Sequence, residues 1–194
     1  MPWPTLNDPV HDSQRLFRQL LAAMSEPGTR YTLDAPQPPD GEIGPALWGT
    51  LLTLCDLDTR VWLAPEWDTA ALREALALHT GSRVTECAEE ADFALVTPDT
   101  MGKGPDFSLG SDEYPDRSTT LLVVLDDLEG AEEWRLSGPG IADCRVLGLG
   151  AAARPLMARL IANQNHFPRG LDTILTCGAR LAAIPRSTRI EEGA

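Results

Sequence analysis

The sequence predicts an α/β domain in three layers, with helices on both faces of a mixed sheet, and three features carry that expectation. Residues Thr119 to Leu125 read Thr-Thr-Leu-Leu-Val-Val-Leu without alternation, as a strand covered on both faces does and a half-exposed strand does not. Helical periods interleave with short strand-like segments, though without a strict βαβ repeat. The stretch from Phe167 to Thr188 reads as a strand, a tight glycine turn and a return strand, so part of the sheet must be antiparallel.

Along the chain, Phe17, Leu20, Leu21 and Met24 fall at i, i+3, i+4 and i+7 on one face of a helix capped by Asp12 or Ser13 and stopped by Glu26-Pro27-Gly28. Thr29 to Leu33 alternates like a short strand. Residues 34–45 carry four prolines and two glycines and are expected to be an irregular connection. Leu47, Leu51, Leu54 and Cys55 restore the helical period, and Arg60 to Leu63 is a strand after the turn Asp56 to Thr59. A third helix runs from a cap at Asp68 through Leu72, Leu76 and His79 to Thr80-Gly81, followed by a buried strand from Asp92 to Val96. Residues 98–118, with Gly102, Gly104, Gly110 and three prolines, are expected to be an irregular loop, mobile or at a contact surface. Glu133 to Ser137 is a strand ending at Gly138-Pro139-Gly140, Arg145 to Leu147 is a weaker one, and Pro155 to Ala162 gives the last helix, with Leu156 and Leu160 on one side.

With 194 residues and 43% hydrophobic content, the chain is expected to form one domain over residues 1–194 with a real core. A formal charge of -13 disfavours nucleic acid and anionic membranes as partners. Residues Met1 to Pro9 lack the basic and apolar regions of a leader, and no apolar run approaches the roughly twenty residues that span a bilayer, so a soluble cytoplasmic protein is expected.

The basic residues are arginines apart from Lys103, the sole amine available for Schiff-base chemistry. Cys55, Cys87, Cys144 and Cys177 are too widely spaced for a zinc, iron-sulfur or dithiol motif. Gly148-Leu149-Gly150 opens like a dinucleotide loop but lacks the third glycine and the downstream acid, and Gly102-Lys103-Gly104 lacks P-loop spacing. His11, His79 and His166 are dispersed, and His79 suits packing. Asp56 and Asp58 suit capping of turn amides better than acid–base work. Cys177 with His166 is a candidate thiolate pair. Arg169, Arg186 and Arg189 are candidates for an anion site, because guanidinium groups match phosphate with two bonds. Both faces of the strand Asp172 to Cys177 carry apolar side chains, so burial explains it better than an exposed nucleophile.

Four stretches in order carry a family resemblance: Ser13 to Gly28, reading Ser-Gln-Arg-Leu-Phe-Arg-Gln-Leu-Leu-Ala-Ala-Met-Ser-Glu-Pro-Gly; Leu51 to Thr59; Leu136 to Ile141, reading Leu-Ser-Gly-Pro-Gly-Ile; and the hairpin Phe167 to Thr188. Together they resemble the PhnH family of the bacterial carbon-phosphorus lyase system, which degrades phosphonates. The resemblance implies a fold similar to the large domain of PLP-dependent transferases but without a PLP site, a homodimer, and a place beside the PhnG, PhnI and PhnJ subunits. It implies a core complex that forms alpha-D-ribose 1-methylphosphonate 5-triphosphate from a purine nucleoside triphosphate and an alkylphosphonate. Cleavage of the C–P bond then belongs to PhnJ and its iron-sulfur cluster.

The leading expectation is a non-catalytic subunit of that complex, with no catalytic, cofactor or metal residues of its own. The alternative is a small-molecule enzyme or phosphate-ligand protein using Cys177 or Arg169 with Arg186. Arg169, Asp172, Cys177 and Arg186 are thus the candidate ligand or interface residues.

Overall fold

The computed structural model describes residues 2–39 and 43–193. Its first helix, α1 (Pro9–Ser25), starts earlier than the sequence suggests, because Asp8 is the cap and accepts from the Val10 and His11 amides at 3.1 and 3.0 Å. Pro9 then fills the first helical position, where a missing N–H costs nothing. The buried side is Leu16, Leu20 and Ala23, whereas Phe17 and Leu21, expected on one face with Leu20, face solvent.

A two-residue strand, β1 (Tyr31–Thr32), leads through an irregular connection to α2 (Pro45–Leu54). Residues 40–42 of the expected 34–45 loop lie outside the described residues, and Pro45 opens the helix. α2 is buried from Pro45 to Leu51 and has no polar face, since α1 and the sheet enclose it. Then come β2 (Arg60–Leu63), α3 (Ala70–His79), β3 (Arg83–Val84) and β4 (Phe93–Val96). The cap of α3 is Thr69, which accepts from the Leu72 amide at 3.1 Å; Asp68 instead holds Arg73.

Residues 98–118 are more ordered than their glycines and prolines suggest. Thr97 caps α4 (Pro98–Lys103), Met101 and Phe107 are buried, and Leu109 bridges Ser118. The rest is β5 (Thr120–Val124), β6 (Glu132–Ser137), β7 (Arg145–Leu149), α5 (Arg154–Asn163), β8 (Asp172–Cys177), β9 (Arg180–Ile184) and β10 (Arg189–Glu192).

The mixed sheet has seven strands in the order β1-β9-β8-β5-β4-β2-β3. The run from β8 to β3 is parallel, and β9 runs against both β8 and β1. Alternate residues of the central strands serve two cores, as an unbroken apolar run requires. Leu122 and Ile174 pack with α1, α2 and α3; Leu121, Val123 and Leu175 pack with α4 and α5.

The second face differs from a plain helical layer. β6, β7 and β10 form a separate antiparallel sheet in the order β10-β6-β7, and its Trp134, Leu136, Leu147 and Ile190 complete the core beside α5. Residues 189–192, unassigned from the sequence, pair with β6, with Ile190 opposite Leu136.

Three of the four stretches that carry the resemblance meet at one junction. The end of α1 turns at Pro27-Gly28, where the Gly28 amide donates to Ala183 O of β9 at 2.9 Å and Arg145 of β7 donates to Pro27 O at 2.7 Å. The β6–β7 turn lies against the same segment, and a Cβ on Gly140 would sit 2.0 Å from Ser25 O. Those stretches therefore join the helix, the small sheet and the hairpin.

Candidate functional site

In open α/β sheets, ligands are usually held at the carboxyl ends of the parallel strands, and a cleft of about 420 Å³ lies there. After β2 the chain turns through Ala64, whose amide donates to Leu95 O of β4 at 2.9 Å, and this brings Glu66 over the end of β4. The Glu66 carboxylate accepts from the Thr97 and Thr100 hydroxyls at 2.6 and 2.9 Å. Partial burial works to raise the Glu66 pKa, but those hydroxyls and its own amide outweigh it and hold the carboxyl below its ordinary range. After β5, Asp126 and Asp127 enter the cleft, and the turn into α5, Gly150 to Ala153, closes it.

The lining carries four carboxylates, Glu66, Asp99, Asp126 and Asp127, and no Lys, Arg or His among the described residues. A polyphosphate or phosphonate there would face like charge at close range, with no cationic side chain in the lining to neutralise it. Lys103, the one amine, ends α4 in solvent and does not line the cleft. Gly150 opens the turn into α5, but the strand before it, β7, belongs to the small sheet, so the Gly148-Leu149-Gly150 stretch does not follow a parallel strand as a dinucleotide loop does.

The sequence-derived candidates fall elsewhere. Arg186 is enclosed: its guanidinium grips Asp172, with Nη2 to Oδ2 at 2.5 Å and Nε to both oxygens at 3.2 Å. The Arg186 amide donates to Asp172 Oδ1 at 2.8 Å, Nη2 reaches Ser118 Oγ at 2.7 Å, and Nη1 donates to Pro115 O. The two side chains are 15% and 19% exposed. This cluster ties the β8–β9 hairpin to the end of the 98–118 segment.

Arg169 pairs instead with exposed Asp112 at 3.0 Å. Arg189 stands exposed on β10 and shares a second cleft of about 500 Å³ with Arg186, Ser187 and Thr188; Arg169 does not line it.

Cys177 and His166 are not brought together. His166 precedes β8 and Cys177 ends it, about 17 Å along at the rise of a strand. The Cys177 thiol donates to Asp126 O at 3.3 Å. Cys55 is inert by burial, which pushes its thiol up to about 12. Asp56 accepts from the Asp58 amide at 3.0 Å, a turn role, and His79 packs edge-on to Trp48 at 5.7 Å. Among the described residues, no group of three or more His, Cys, Asp or Glu could hold a metal ion. No described helix is long and apolar enough to cross a membrane.

Nothing in the sequence singled out Glu66, Asp99, Asp126 or Asp127, because they come from separate strand ends that only the parallel order β5-β4-β2 brings together. Arg186 and Asp172 were visible as charges in the hairpin, but their mutual grip depends on antiparallel register, with Thr173 opposite Ile184.

The family model for the bacterial phosphonate metabolism protein PhnH matches residues 4–191. The chain is 37% identical over 185 residues to the alpha-D-ribose 1-methylphosphonate 5-triphosphate synthase subunit PhnH of Rhizobium meliloti, covering 95% of this chain and 92% of that protein. It is also 30% identical over 177 residues to HtxG of Stutzerimonas stutzeri, named as a C-P lyase subunit protein, covering 91% and 85%.

Proposed function

The chain belongs to the PhnH family of bacterial phosphonate metabolism proteins, and from that premise we propose that it is an accessory, non-catalytic subunit of the carbon-phosphorus lyase core complex. That complex forms alpha-D-ribose 1-methylphosphonate 5-triphosphate from a purine nucleoside triphosphate and an alkylphosphonate. In this reading the chain works in the cytoplasm, self-associates as a homodimer and assembles with PhnG, PhnI and PhnJ. Residues 1–194 act as one unit, which the two cores sharing one sheet support. A seven-stranded sheet with a single antiparallel strand next to its edge supports the likeness to the large domain of PLP-dependent transferases.

The observation that carries the accessory role is the lining of the cleft at the strand ends. Where this architecture would hold a ligand, the chain places Glu66, Asp99, Asp126 and Asp127, while every substrate in the scheme is an anion. Arg169, Asp172, Cys177 and Arg186 are assigned to holding the fold together, since each already has a partner within it.

Calorimetry of the isolated chain tests this. Titration with ATP, ribose phosphates or methylphosphonate is expected to give no saturable heat with a Kd tighter than about 1 mM. Saturable binding abolished by Arg186→Ala or Cys177→Ser in a folded variant would instead establish the phosphate-ligand alternative.

A further inference from the structure

The second cleft, of about 500 Å³, has the size of a small-molecule pocket. It lies between the β6–β7 turn, the residues that follow α5, and the turn that joins β9 to β10. Its lining holds two arginines and no carboxylate, the reverse of the first cleft and on a chain of net charge -13.

The two arginines are not equivalent. Arg186 already grips Asp172 and brings no spare charge. Arg189 is exposed, and among the described residues its side chain makes no ion pair or hydrogen bond. Glu191, on the same side of β10, stands opposite Arg135 in the ladder and does not line the cleft. The lining therefore offers one uncompensated positive charge. Thr188 adds a second feature, because it is 2% exposed and its hydroxyl has no hydrogen-bond partner among the described residues. Buried polar groups rarely stay unpaired, so this hydroxyl calls for an oxygen that the chain does not provide. Phe167, 63% exposed, gives the same cleft an apolar wall.

We propose that this cleft binds a small organic acid, its single carboxylate held by Arg189 and the Thr188 hydroxyl and its apolar body set against Phe167. One guanidinium matches one carboxylate through two parallel hydrogen bonds. A phosphate ester, at about -1.5 to -2, would leave charge unpaired against the same single cation. The volume exceeds what a carboxylate alone needs and suits an acid that carries a body. The proposal does not depend on the subunit reading, and it is consistent with the absence of binding expected there for phosphates and phosphonates.

Titration of the full chain with benzoate, followed by amide NMR, tests it. Saturable shifts are expected at the Gly138, Asn165 and Arg189 amides, with a Kd of about 5 mM or tighter. Benzyl alcohol, which keeps the ring and loses the charge, and inorganic phosphate are each expected to bind about tenfold more weakly or not at all. Arg189→Ala is expected to weaken benzoate about tenfold or more with an unchanged Tm, since the residue is exposed. Thr188→Val removes the unpaired hydroxyl, so it is expected to weaken benzoate about threefold while Tm holds or rises. No saturable shift with benzoate overturns the proposal, as does equal affinity for benzyl alcohol or phosphate, or wild-type affinity in Arg189→Ala. Lack of benzoate binding together with lowered recovery of Arg189→Ala by co-expressed PhnG, PhnI and PhnJ also overturns it, in favour of a carboxylate supplied by a protein partner.

Discussion

Arg186→Ala is expected to destabilise the chain by about 3 kcal/mol, because it leaves the enclosed Asp172 carboxylate without its counter-ion. For a chain of this size that is a fall in Tm of roughly 6–12 °C. The guanidinium also satisfies Pro115 O and Ser118 Oγ, so its removal should release the end of the 98–118 segment as well as the hairpin. Limited proteolysis of the variant should cut first between residues 104 and 118. Asp172→Ala is expected to cost a similar amount, and the double variant much less than the sum, as coupled groups behave. A Tm unchanged in Arg186→Ala would contradict the internal clamp and return Arg186 to the role of a ligand-binding arginine.

Gly140→Ala is expected to cost about 2–4 kcal/mol, again read as a fall in Tm. Its φ of +81° lies in the left-handed region, which a side chain enters at about 1–2 kcal/mol. The rest comes from packing: the added Cβ would stand 2.0 Å from Ser25 O and 2.9 Å from Pro27 Cδ, so the β6–β7 turn and the end of α1 must move apart. Gly150→Ala is the matched control, since its Cβ meets nothing within 4 Å and its φ of -68° is ordinary. Similar Tm values for the two variants would show that the junction is looser than described.

The unbroken run of β5 announced a doubly covered strand, and it is central, with Leu121 and Leu122 serving opposite cores. The hairpin was equally readable, because one glycine turn joins two apolar segments. What the sequence hid were features set by partners distant along the chain. β3 has two residues and exists only because β2 offers it an edge, whereas β1, equally short, falls inside the alternating stretch Thr29 to Leu33. The small sheet depends on residues 189–192 returning to pair with β6. α1 misled by having more apolar residues than one face needs: periodicity placed Phe17 and Leu21 with Leu20, but the core takes Leu16, Leu20 and Ala23. The cleft was illegible for a different reason, since its carboxylates come from three separate strand ends.

A subunit that builds the complex without performing its chemistry is distinguished from a catalytic one by reconstitution. PhnG, PhnI and PhnJ would be co-expressed with the chain, without it, and with a variant in which Glu66, Asp126 and Asp127 are replaced by Gln, Asn and Asn. Phosphorus NMR would follow alpha-D-ribose 1-methylphosphonate 5-triphosphate formed from ATP and methylphosphonate. A stable active assembly is expected with the chain, loss of assembly or activity without it, and wild-type turnover with the cleft variant. An active complex of the other three subunits that forms without this chain, while the chain purifies alone, would contradict the accessory role.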